Sequence, residues 1–132
     1  MTKYTASPEV LDAMLSKAEK KLCAARRDFE DGFFGEASSC SYYAVFHAIS
    51  AVLASRRLTF SSHAQVIGAF NKEFVKTALF PIDTTRKLQR LFEDRQTSDY
   101  DCVEEIDNET ARADIEDATA LITLCRTYLK SE

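Results

Sequence analysis

A chain of 132 residues with only three glycines and two prolines has few places at which to turn sharply. Average usage of about 7% Gly and 5% Pro would supply roughly sixteen such residues. Hairpins and tight crossovers lean on Gly, Pro and Asn-Gly chemistry, so a mostly-β fold is excluded. Glycine-rich phosphate loops are excluded by the same shortage. Long helices joined by a handful of connections remain. The length suits a single domain spanning residues 1–132, with a core from about residue 8 to residue 130.

Hydrophobic periodicity divides the chain into five helices. Ser7-Pro8-Glu9 reads as an N-cap, a first-turn proline and an acid at the positive helix end. Leu11, Leu15, Ala18, Leu22, Ala25 and Phe29 then recur at alternating steps of four and three, which is one apolar stripe. Asp31-Gly32 ends the first helix. The second runs from about Phe34 to Arg56 and is apolar on most sides, as expected of a central helix. Ser61 or Ser62 caps a third, with Val66, Phe70 and Phe74 spaced by four. Asp83 or Thr84 caps a fourth that carries Leu88, Leu91, Phe92 and Arg95, and residues 99–109 form an acidic loop. Asp107 or Asn108 caps the last, whose stripe is Ala111, Ile115, Ala118, Ile122, Cys125 and Leu129. Short connections make an all-α, antiparallel up-and-down bundle of about five helices the natural topology. The first, second and last helices form its frame, and the shorter third and fourth close one side.

Charge and cysteine usage narrow the function. The net charge of −4 is concentrated at the end, where residues 96–132 hold three basic and ten acidic groups. An acidic chain is a poor generic nucleic-acid binder, because such affinity comes largely from counterion release. A local site is still open to it, and residues 76–95, with five basic and three acidic groups, are the basic stretch. Cys23, Cys40, Cys102 and Cys125 show no C-x-x-C pair and no zinc-ligand spacing with either histidine. They read as free thiols of a cytoplasmic protein. Met1–Ser7 is too polar for a secretory leader. Ala37–Ser55 lacks charged residues and approaches membrane-spanning length, but six residues among its serines and His47 make it too polar to span. No di-iron Glu-x-x-His, zinc-protease, nucleophile-elbow or P-loop motif occurs. The acids between Asp99 and Asp107 lack an EF-hand glycine and read as a solvated loop. No metal or cofactor is expected.

A few polar residues interrupt the apolar logic. Arg95 lies on the stripe side of the fourth helix, and a buried guanidinium is costly unless paired. Asp99, one turn later, can pair with it. Tyr100 follows. His47 sits within the uncharged helix one turn after Tyr43, and His63 opens the third helix. These positions suit either a structural Arg–Asp closure or a polar pocket that grips phosphate.

Three ordered blocks resemble the HEPN superfamily, the domains found beside minimal nucleotidyltransferases in prokaryotes. They are Ser41-Tyr42-Tyr43-Ala44-Val45-Phe46-His47-Ala48, then Ser61-Ser62-His63 with Phe70 and Glu73-Phe74-Val75-Lys76-Thr77, then Arg95-Gln96-Thr97-Ser98-Asp99-Tyr100-Asp101. The resemblance runs from about Lys17 to Leu129. It implies a helical bundle, commonly a homodimer, with a nucleotidyltransferase-type partner. Many such proteins are ribonuclease toxins or defence effectors. Their motif is an Arg followed after four to six residues by a His, and the two protomers' motifs meet at the dimer interface. Arg95 matches the Arg, but Asp99 and Tyr100 stand where the His would be.

The expected function is therefore a nucleotide- or RNA-binding module of a toxin–antitoxin or defence-like system, with a degenerate ribonuclease motif. Tyr43, His47, His63 and Arg95 would bind the ligand. Arg95, Asp99 and Tyr100 are the candidates for any catalysis. Two alternatives stand beside it: a metal-independent ribonuclease toxin using Arg95 with a histidine from another helix, and a structural dimeric adaptor.

Overall fold

In a computed structural model, residues 6–131 are described. Met1–Thr5 and Glu132, on which the leader reading and the outer domain limits fall, lie outside these residues. Five α-helices build the bundle: α1 (Pro8–Glu30), α2 (Phe34–Ala54), α3 (His63–Phe70), α4 (Thr84–Tyr100) and α5 (Asn108–Lys130). A π-helical turn, Asn71–Val75, continues directly from α3.

The caps follow local chemistry. Ser7, Ser62 and Asp107 each accept a hydrogen bond from a backbone N–H three residues on, which satisfies an orphan donor of the first turn. Asp83 holds the N-cap position of α4 without a side-chain bond to the backbone. It acts there through charge, pairing with Lys87 and Arg86. α1 ends at Asp31-Gly32, with Gly32 at φ +84° and the Phe33 N–H donating back to the Asp28 carbonyl. That is the left-handed exit for which glycine is suited.

α2 is the axis of the bundle and packs against α1, α3, α4 and α5. Twelve of its residues are buried, including Tyr42, Val45, Ile49, Val52 and Leu53. Its length and composition would let it cross a membrane, but two-thirds of its most apolar window is buried within the protein. Ala44, Ala48 and Ala51 are fully buried, as expected of small residues where helices approach closely. The stripes of α1 and α5 bury Ala18, Leu22 and Ala25, and Ala111, Ala118, Ile122 and Cys125.

Three details depart from the sequence expectations. α2 stops at Ala54 rather than near Arg56, because Arg57 turns left-handed at φ +64°. α4 is a 17-residue helix that runs through Tyr100, so the acidic loop begins at Asp101, while α1, α2 and α5 remain the longer helices that form the frame. The Arg95–Asp99 pair lengthens α4 by bridging its last turn. Finally, Val66, Phe70 and Phe74 are all buried, but the last of them lies in a π turn, whose Lys76 N–H reaches the Asn71 carbonyl five residues back. The wider turn buries both Phe74 and Val75. Phe70, Phe74 and Phe80 then form an aromatic cluster with centroid separations of 4.9–6.0 Å, and Ala78 closes the exit at φ +66°.

Candidate functional site

Ser39, Tyr42, Tyr43 and Phe46 follow one another on α2 at helical spacing that keeps them along one side. The first turn of α3 adds His63, and the end of α4 adds Arg95, Asp99 and Tyr100. Arg95 is the hub. Its Nε donates to Asp99 Oδ2 at 3.0 Å, and its Nη2 donates to the Tyr43 hydroxyl at 2.5 Å and to that of Tyr100 at 3.5 Å. The guanidinium carbon stands 5.2–5.5 Å from the ring centroids of Tyr42, Tyr43 and Tyr100, within cation–π range. The Ser39 hydroxyl donates to Asp99 Oδ1 at 2.5 Å, so both carboxylate oxygens are engaged. The Arg95 side chain is 14% exposed and that of Asp99 28%, while Tyr100 is mostly open to solvent.

His63 completes the group. Its ring stacks on Phe46 at 4.0 Å, and its Nδ1 lies 2.6 Å from the Tyr42 hydroxyl. Burial raises the Tyr42 pKa to about 12, against the opposing pull of Arg95, so the phenol keeps its proton. Burial, reinforced by the Arg95 charge, holds His63 below the usual imidazole value. A protonated phenol facing a neutral imidazole shares a single hydrogen bond, and the His63 tautomer sets which partner donates. Burial works against the charge on Arg95, but the Tyr43 hydrogen bond, the tyrosines and Asp99 outweigh it and hold the guanidinium charged.

Of the sequence-identified residues, Arg95, Asp99, Tyr100, Tyr43 and His63 come together. His47 forms no hydrogen bond with this group. It stands nearer α1, where burial and the charges of Lys17 and Lys21, with a contribution from His63, push its pKa down. Tyr42 and Ser39 are the residues that sequence reasoning missed. Tyr42 reads as core because it is core, and its hydroxyl gains a role only when α3 folds back over α2. The nearest available signal was the Tyr42-Tyr43 pair one turn before Phe46 and His47.

A second polar cluster lies deeper, between α2, α4 and α5. Asp114 is fully buried. Ser38 donates to its Oδ2 at 2.8 Å, and Arg90 Nη2 sits 3.1 Å from its Oδ1 while bonding Asp117 at 2.6 Å. Burial, with neighbouring Asp94, pushes the Asp114 pKa up to about 8. Asp94 Oδ2 and Asp114 Oδ1 are both buried without a hydrogen-bond partner. One carboxylic proton between Asp94 and Asp114 would satisfy the orphaned oxygens. Among the described residues, no group of three or more His, Cys, Asp or Glu side chains is arranged to hold a metal ion.

Comparison with known proteins agrees with this architecture. The HEPN domain family model matches residues 11–128. "Putative toxin MJ0142" of Methanocaldococcus jannaschii is 30% identical over 122 residues, covering 92% of this chain and 83% of its own. A UPF0332 protein of Archaeoglobus fulgidus is 30% identical over 85% of this chain and 89% of its own. Another UPF0332 protein, from Thermotoga maritima, is 41% identical over 71 residues, 54% of each chain.

Proposed function

The chain belongs to the HEPN domain family, and from that premise we propose that it is a toxin-like member whose Arg95 cluster binds the phosphate of a nucleotide or RNA without cutting it. One observation carries this reading: a guanidinium fork stands at the centre of the site with an imidazole and tyrosine rings around it, and Asp99 is held at both oxygens, by Arg95 and by Ser39. The site is thus built around the cation and its donors. Phosphate binding requires what is present, a fork of guanidinium donors, an imidazole N–H and open aromatic rings.

In this reading the protein works in the cytoplasm as a homodimer with a nucleotidyltransferase-type partner. NMR titration with ATP and with short RNA tests the pocket. Shifts centred on Arg95, Tyr43 and His63 are expected, and their absence with both ligands would sink it. Co-purification with a neighbouring nucleotidyltransferase tests the partner.

The toxin name carried by a relative similar over most of its length favours a second reading, an active ribonuclease in which His63 moves the proton beside Arg95. Growth arrest on expression that is relieved by both Arg95→Ala and His63→Ala would establish it. Purified RNA left intact would exclude it.

A further inference from the structure

A groove of about 430 Å³ lies at the end of the bundle where α2 and α5 finish. Leu79, Phe80 and Leu124 give it apolar walls, and Tyr128 and Ser131 add hydroxyls. Arg56 is the one charged residue that lines it. The Arg56 Nε donates to the Tyr128 hydroxyl at 3.0 Å. Its guanidinium carbon stands 4.7 Å from the ring centroid of Phe74 and 5.8 Å from that of Tyr128. A guanidinium pinned at Nε and laid on aromatic rings is pre-organised, with its two Nη groups left to meet a carboxylate. No carboxylate among the described residues forms an ion pair with it. The apolar wall is open as well: Leu79 is half-exposed, and Ile82, three residues on, is largely exposed.

The same chain carries the complement of this groove. The loop from Asp101 to Asp107 joins α4 to α5, and its acids Asp101, Glu104, Glu105 and Asp107 are all exposed. Val103 stands among them, largely exposed. Asp101 Oδ1 accepts hydrogen bonds from the Val103 and Glu104 N–H groups at 2.9 Å, so the loop is a fixed turn. The 23 residues of α5 separate it from the groove, a span of roughly 34 Å at the helical rise. The loop therefore cannot fill the groove of its own chain.

We infer that this groove receives the acidic loop of a second copy, with Val103 against Leu79, Phe80 and Leu124 and the Glu104-Glu105 pair facing Arg56. Charge and apolar surface together select the occupant. A nucleic acid would bring phosphates to Arg56 but leave Leu79 and Ile82 in water. A lipid tail would cover the walls but leave the guanidinium unpaired. A segment with an apolar tip flanked by acids satisfies both. The contact joins two different patches, so it runs head to tail and propagates from copy to copy. It is separate from a two-fold contact at the Arg95 motif and does not depend on the phosphate reading of that site. One loop in one groove buries less than the ~1,200 Å² of a stable interface. The association is therefore weak, concentration-dependent and sensitive to salt.

Sedimentation velocity of the intact chain over a concentration series, at low and high salt, tests this together with NMR spectra of the same series. In wild type the mean sedimentation coefficient should keep rising with concentration, less so at high salt. Resonances of Arg56 Nε, Leu79 and Val103 should shift together. Arg56→Glu and Val103→Asp should each weaken the association about tenfold. Val103 lies in an exposed loop, so its variant keeps the test independent of any folding defect at Arg56. Glu104→Lys/Glu105→Lys should also lose self-association, and mixing it with Arg56→Glu should restore association, because each variant then offers the charge the other needs. A wild-type series that shifts neither the groove nor the loop would overturn the inference. Association that Arg56→Glu and Val103→Asp both leave unchanged would do the same.

Discussion

The hydroxyl of Tyr42 and Nδ1 of His63 share a hydrogen bond across 2.6 Å, tying the central helix to the first turn of α3. Tyr42→Phe removes that hydroxyl and keeps the ring. His63 Nδ1 then loses its partner, and the neutral imidazole loses a stabilising bond. The His63 titration midpoint should rise toward the ordinary value, as followed by imidazole NMR shifts against pH. Stability should fall by about 1 kcal/mol in denaturant. An unmoved midpoint would mean that the bond does not set the protonation of His63.

Arg95 serves three partners at once through a planar fork, which an ammonium cannot reproduce. Arg95→Lys should therefore lose roughly tenfold in nucleotide affinity while keeping its charge. Arg95→Ala should lose more, and about 1–3 kcal/mol of stability as well, because Asp99 and Tyr43 are left short of a donor. Calorimetry and urea denaturation separate the two effects. A stable Arg95→Ala protein with unchanged affinity would rule out the phosphate site.

Asp114 makes stability depend on pH on the alkaline side. Its folded pKa, about 8, lies above the unfolded value of about 3.9. The folded state therefore holds a proton that the unfolded state releases. Its contribution is complete below pH ~3.9 and is lost as pH rises through about 8. His47 and His63 act in the opposite sense. Their lowered values give stability that is present above pH ~6.5 and lost as pH falls through the folded pKa. The melting temperature of wild type should decline from pH 6 to pH 9. Asp114→Asn, an uncharged isostere, should flatten that decline. An equally steep decline in the variant would place the titrating group elsewhere.

Arg57 and Ala78 adopt left-handed backbone conformations, at φ +64° and +66°, where a Cβ costs roughly 1–2 kcal/mol. Ala78→Gly removes that strain and adds some unfolded-state entropy. A net gain of about 0.5–1 kcal/mol is expected from thermal or denaturant unfolding. A loss instead would show that the Ala78 methyl has a packing role outweighing its strain.

The frame of the bundle was legible because α1 and α5 each bury one stripe while α2 buries most of its sides. The stripes of α1 and α5 and the caps at Ser7, Ser62 and Asp107 are local properties, written within a few residues. The Arg95–Asp99 pair was legible for the same reason, since four residues on a helix is one turn. What escaped notice depends on distant parts of the chain. Asp114 stands in an acid-rich stretch with Glu116 and Asp117 and reads as solvent-facing. Only the approach of Ser38 and Arg90, 76 and 24 residues away in sequence, makes it a buried group. Tyr42 and His63 are 21 residues apart. The π turn after α3 also left no mark, because Phe70 and Phe74 keep a spacing that an ordinary helix would share.

Ser38 and Ser39 are neighbours on α2, yet they hold carboxylates on two different helices, Asp114 of α5 and Asp99 of α4. Successive residues on a helix point about 100° apart. Rolling α2 about its axis, in either direction, would therefore strain both bonds together. The pair resists torsion as two guy ropes steady a mast. The orientation of Tyr42 and Tyr43 beneath Arg95 is thus set mechanically by two hydroxyls that bond neither tyrosine nor the guanidinium.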